Sequence, residues 1–290
     1  MIDKEKCNIV LKPKRIYKRT TKHSRTITLE AYEYNEIKLE KSSEVYNKYH
    51  NLRNSIIEWL YIINLKLQDH PSTLFHCISL FDRFVSKKKN VNQSRIDLYA
   101  AVCYFISKKL NEVLIVDLSF IHNIILKSKY SKKEIAMTEL EICRELRFNL
   151  MFDTVQTYSD YFISKMSDEL QSVFANIILF FNVFAQNFEE FTFDIFPITV
   201  AIITFKTSVE FLYENNKITQ NEHERIIEAI DLFISSKSKV AKKKNIIEEY
   251  SFLLKSTFVN NINTIEHKEY SKLYKSAFDE TNWASNILLQ

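Results

Sequence analysis

At 290 residues the chain is long enough for one large domain or two of ordinary size. It contains no glycine, which excludes glycine-rich nucleotide loops and counts against sheet-rich folds built on tight positive-φ turns. The net charge of +4 is uneven. Residues 1–28 hold nine Lys/Arg against Asp3 and Glu5, so a basic tail of +7 precedes a body of −3, a balance that argues against a nucleic-acid partner.

In chain order, the tail is polar and without sustained periodicity. Residues 29–47 predict a lone amphipathic helix. From about 48 the periodicity sharpens. Leu52, Ile56, Trp59/Leu60, Ile63 and Leu67 recur at the spacing of a buried helix face. Pro71 then breaks that helix, and Ser72 is placed to cap the next, whose stripe is Leu74, Ile78, Phe81 and Val85. A third helix, about 92–110, is apolar nearly all round and so reads as central. A fourth spans about 116–128. A fifth, about 131–148, opens on Ser131 with Glu134 three residues on, the pattern of a capping box.

The plan then recurs, with helices expected at about 154–166, 168–186, 196–214, 220–236 and 241–255, the third again the most apolar. The two most apolar runs, 174–185 and 195–205, are too short for a membrane span and carry Asn or Pro. Cys7, Cys77, Cys103 and Cys143 stand far apart, without zinc spacing, as in a reducing compartment. No metal site, cofactor or membrane partner is expected. Localisation in nucleus and cytoplasm is.

Four segments carry a resemblance to the cyclin family. Residues 52–60 (LRNSIIEWL) look like its MRxxLxxWL helix and 73–86 (TLFHCISLFDRFVS) like its TLxLAxxxxDRFLS helix. Residues 104–112 (YFISKKLNE) resemble LLASKYEE with one extra residue, and 130–152 resemble its YTxxxIxxMExxILxxLxFxLxxP segment. Weaker likeness continues through 154–162, 196–212 and Ile246–Tyr250. The resemblance implies an all-α chain of two tandem five-helix cyclin folds. A basic tail and N-terminal helix occupy 1–47, the N-terminal cyclin box 48–152, a C-terminal cyclin fold 153–260 and an extension 261–290.

By the same resemblance the protein is no enzyme. It binds a cyclin-dependent protein kinase as a heterodimer and activates it, in cell-cycle control. Arg53 and Asp82 match the family's internal ion pair. Lys108 matches the lysine that bonds the kinase backbone, and Glu139 the glutamate that joins it. With Leu110, Glu112, Leu114, Ile121, Ile125 and Ile142 they make up the expected kinase-binding set. Leu52, Ile56 and Trp59 match a patch that docks substrates or inhibitors, with Ser55 and Ile96 departing from it. Ile106 stands where the family has a small alanine. The alternative is a transcription-factor-IIB-like double cyclin fold on promoter DNA, favoured by the basic stretches at 12–25 and 237–244 and opposed by the missing zinc ribbon. A helical enzyme would need a nucleophile or metal constellation that the sequence does not show.

Overall fold

The computed structural model describes residues 43–88, 91–113, 117–188, 191 and 195–262; the basic tail, the helix expected up to residue 42, Leu114 and the segment after 262 lie outside them. Among the described residues every regular element is helical.

Helix α1 (Ser43–Leu67) ends where Gln68 turns to φ 54°. Helix α2 (Pro71–Lys87) starts at once, with Pro71 at its first position, where a missing N–H costs nothing. The cap is not Ser72, as the sequence suggested, but His70, whose Nδ1 accepts from the Ser72 N–H at 3.2 Å. Proline at N1 puts the cap two residues upstream of the expected one. A 3₁₀ turn (Gln93–Arg95) leads into α3 (Ile96–Asn111). Helix α4 (Leu118–Phe120) runs on as a π-helical turn (Ile121–Ile125). Helix α5 (Lys132–Glu145) opens on the expected capping box: the Ser131 N–H reaches Glu134 Oε2 at 2.9 Å and the Glu134 N–H reaches Ser131 Oγ at 3.2 Å.

Helix α5 stops three residues short of the expected end. Arg147 and Phe148 both take positive φ, 51° and 55°, and the Phe148 N–H closes on Cys143 O at 2.8 Å. Lys127 and Ser128 make a similar pair after the π turn, at 48° and 59°. Other proteins place glycine at such helix ends. Here ordinary residues occupy them, at about 1–2 kcal/mol each.

Helix α3 is the axis of this first set. Every residue from 98 to 108 is buried, and α1, α2, α5 and the π turn lie against it. A second set comes next: α6 (Val155–Ser164), α7 (Asp168–Ala185), α8 (Pro197–Glu214), α9 (Gln220–Ser236), the short α10 (Ser238–Ala241) and α11 (Lys244–Ile262). Helix α8 plays the part of α3, with α6, α7, α9 and α11 around it. Helix α11 outruns the expected end at 255 because Phe258, fully buried, anchors a further turn. The sets meet where α2 touches α6. No helix of the described residues is long and apolar enough to cross a membrane.

Candidate functional site

The site is built outward from an internal clamp. Arg53 on α1 and Asp82 on α2 meet in a two-pronged contact, Nε to Oδ1 at 2.9 Å and Nη2 to Oδ2 at 2.8 Å, each residue only 2% exposed. The third guanidinium nitrogen, Nη1, donates to the Gln186 carbonyl at the end of α7. One arginine thus ties α1, α2 and the second helical set together. Removing either charge would strand the other in the core.

Beside the clamp, His76 ties α2 to α3 and to the segment that follows α5. Leu150 O can only accept, so Nε2 carries the proton towards it at 2.7 Å and Nδ1 accepts from the Ser107 hydroxyl at 3.1 Å. Burial, aided by the nearby Arg83 charge, lowers its pKa to about 4 against the upward pull of the Leu150 bond, and the ring stacks on Phe152 at 4.6 Å. Arg83 lies over the same phenylalanine at 4.5 Å, with Nε and Nη1 buried and unbonded; burial brings its pKa down to about 10. Burial also pushes the Cys77 and Cys103 thiols well up, so these sulfurs are inert filling.

The kinase-binding set of the sequence divides into three groups. Lys108 is in the last turn of α3, 8% exposed, with its Nζ on Asp69 Oδ1. It does not meet Glu139. That carboxylate holds Lys109 instead, at 2.5 Å, while the Lys109 ammonium sits 3.8 Å above the Phe105 ring. Glu112 faces back into the chain: its Oε1 accepts from the His70 N–H at 2.8 Å and from the Thr73 hydroxyl at 2.6 Å, anchoring the start of α2. Leu110 is exposed and Ile125 half-buried. Ile121 and Ile142 have no exposed surface and pack in the core. Ile106 is likewise buried. In the expected docking patch Ile56 is core, and Leu52 and Trp59 are half-buried against it.

The structure adds apolar residues that periodicity could not single out. Leu110 near the end of α3, Val113 (90% exposed) just after it, Ile124 in the π turn, Met137 within α5, and Phe148 (64%) and Met151 beyond its end form an exposed apolar rim on elements in contact, since α3 touches both α5 and the π turn and α4 touches α5. Phe148 is pushed outward by its positive φ, a consequence of the early end of α5. Among the described residues no group of His, Cys, Asp and Glu could hold a metal ion.

Fold and site define a helical box organised round a buried central helix, braced by an arginine–carboxylate clamp and carrying an exposed apolar rim. The family model for the cyclin N-terminal domain matches residues 17–151. That match begins well ahead of residue 48. The chain is 33% identical to S-phase entry cyclin-5 of Saccharomyces cerevisiae over 39% of its own length and 25% of that protein's. It is 27% identical to the G2/mitotic-specific cyclin-A of Patella vulgata over 41% of its length and 27% of the relative's. The matched stretch is thus about a quarter of these curated relatives. A viral cyclin from herpesvirus saimiri shares the fold, with a TM-score of 0.59 at 14% identity, over 75% of this chain and 90% of that one. A chain of the CAK complex from Chaetomium thermophilum does so with a TM-score of 0.53 at 14% identity, over 82% and 73%. Residues 17–151 thus carry a cyclin N-terminal domain, and the fold is one that cyclins share.

Proposed function

We propose that the chain is a non-catalytic regulatory subunit that binds a cyclin-dependent protein kinase, in a heterodimer that serves cell-cycle control. The observation that carries this reading is the set of exposed apolar side chains on and beside α3, the π turn and α5, since exposed apolar clusters mark interaction surfaces. In this reading 48–152 is the cyclin box and 153–260 a second cyclin fold, an assignment supported by the repeated arrangement of helices round α3 and α8. The protein works in nucleus and cytoplasm.

The mechanism is conformational. A kinase positions ATP only when a strand lysine pairs with a glutamate on its C-helix. The rim packs on that helix and favours its inward state, shifting the population. Moving a kinase from mostly inactive to mostly active takes about 5 kcal/mol of differential affinity. A standard interface of about 1,600 Å² is large enough to supply it. Lys108 and Glu139 fix the register by bonding kinase backbone.

The test is capture of kinase from native lysate followed by histone phosphorylation, with Met137→Asp/Phe148→Asp as the disrupting variant. Both positions are exposed, so circular dichroism should report an unchanged fold. Kinase capture and histone labelling should fall about tenfold or more. A folded variant that activates normally would remove the rim from the mechanism, and a wild-type chain that captures no kinase would end the proposal. Salt-dependent binding to promoter DNA in that case would favour the transcription-factor-IIB-like alternative.

A further inference from the structure

In the free chain Lys108 is already engaged. Its ammonium is bonded to Asp69, a buried carboxylate in the turn between α1 and α2. The second Asp69 oxygen accepts from the Tyr104 hydroxyl at 2.6 Å, and that hydroxyl in turn receives the Asn64 amide at 3.4 Å. Tyr104 and Lys108 are four residues apart on α3 and so share the face turned towards this turn.

Resting on the proposed function, in which Lys108 bonds the kinase, we infer that Asp69 is a positioning residue that stores Lys108 inside the free chain and yields it when the kinase docks. Three features support an exchange over a fixed strut. A buried ion pair is a weak source of stability, because desolvation offsets its attraction, so an equivalent acceptor on a partner can replace it at small net cost. Asp69 is not abandoned when Lys108 leaves, since the Tyr104 hydroxyl stays on it. And Lys108 stands next to exposed Lys109 and Leu110, so rotation of its flexible stem carries the ammonium to the rim without moving the helix. The surrounding backbone stays in place: Glu112 binds the end of α3 to His70 and Thr73, making turn and helix one body. Asp69 therefore competes with the kinase for Lys108 and holds affinity down.

The experiment reads Lys108 itself. The full chain is treated briefly with an acetylating succinimidyl ester, and each lysine is quantified by mass spectrometry, with exposed Lys127 and Lys133 as internal standards. In the wild type, Lys108 should react about tenfold more slowly than the standards, as befits a charge-assisted contact. Asp69→Asn should bring its rate to within about twofold of them and should tighten kinase capture about three- to tenfold. Tyr104→Phe, a milder change that keeps both charges, removes the donor that stays on Asp69 when Lys108 leaves, so the Lys108 rate should fall further and kinase capture should weaken, and it decides the matter if Asp69→Asn does not fold. A wild-type Lys108 as reactive as Lys133 overturns the inference. So does a folded Asp69→Asn chain with unaltered Lys108 reactivity, or one with freed Lys108 and weaker kinase capture. Slow Lys108 labelling in a chain that captures no kinase sinks the proposed function instead and leaves the Asp69 store standing, so the two failures are told apart.

Discussion

The two helical sets are built round matching axes but hold their interiors together by different means. Every buried charged side chain of the described residues (Arg53, Asp69, Asp82, Arg83 and Lys108) belongs to the first set, as does His76. The second set buries only neutral polar groups. Asn182 gathers Ser159 at 2.9 Å, Gln156 at 3.2 Å and the Thr204 hydroxyl at 2.6 Å, and a cluster of phenylalanines packs among the buried aliphatic side chains. Phe180, Phe181, Phe184 and Phe211 ring Phe258 at centroid distances of 5.3–6.0 Å. Backbone strain divides the same way: among the described residues Gln68, Lys127, Ser128, Arg147 and Phe148 take positive φ in the first set and only Asn216, a residue suited to that region, in the second. Charge pairs and strained turns fix where particular groups sit, whereas stacked rings mainly exclude water. The set that carries the candidate site is the one that spends stability on position.

The sharpest way to break this contrast is to delete one member from each interior. Arg53→Ala should cost about 3–5 kcal/mol in urea unfolding, because the buried Asp82 carboxylate loses its guanidinium. Phe258→Ala should cost a similar 3–5 kcal/mol through its cavity. The difference appears in the rescue. Arg53→Met combined with Asp82→Leu should recover more than half of the loss, short of all of it because the Gln186 carbonyl loses its donor. If the double variant is no more stable than Arg53→Ala, the pair is more than a positional device.

Acid should also separate the sets. The folded pKa of His76 is depressed to about 4 from an ordinary 6.5, so the unfolded chain binds its proton first. The stability this histidine contributes is therefore complete above about pH 6.5 and is lost as pH falls towards 4, by about 3 kcal/mol over the whole window. Protonating Nδ1 would also turn the Ser107 hydroxyl away from it. His76→Gln should flatten the stability profile between pH 6.5 and 4, and an unchanged slope would move the effect elsewhere. The smallest change concerns strain. Lys127→Gly, at φ 48° and exposed, should raise stability by up to about 1 kcal/mol, the left-handed penalty less the entropy that glycine adds to the unfolded chain. A loss in that variant would mean the turn is not strained.

Much of the architecture was legible in residue order. The stripes beginning at Leu52 and Leu74, the all-apolar third helix of each half and the Ser131–Glu134 box lead to helices that the structure contains, with ends shifted by a few residues. The site was less so. The family resemblance marked Lys108 and Glu139 but not that Asp69 takes the first and Lys109 the second, since such choices depend on which turn comes alongside the end of α3. Nor can an apolar pattern distinguish Ile121 and Ile142, inside, from Met137 and Phe148, outside. Phe148 carried no local signal, since α2 and α3 end at Lys88 and Glu112 with negative φ while α5 ends through positive φ at Arg147 and Phe148, and no glycine marks the difference.

By itself the sequence determined the helices, their order and which two are central, because hydrophobic period and capping are local properties that each segment carries alone. Tertiary structure decided the pairing of buried charges and the facing of the rim. A lysine or carboxylate a few ångströms from several partners is settled only by which one the packed backbone brings within bonding distance, and that depends on the whole set of helices closing together.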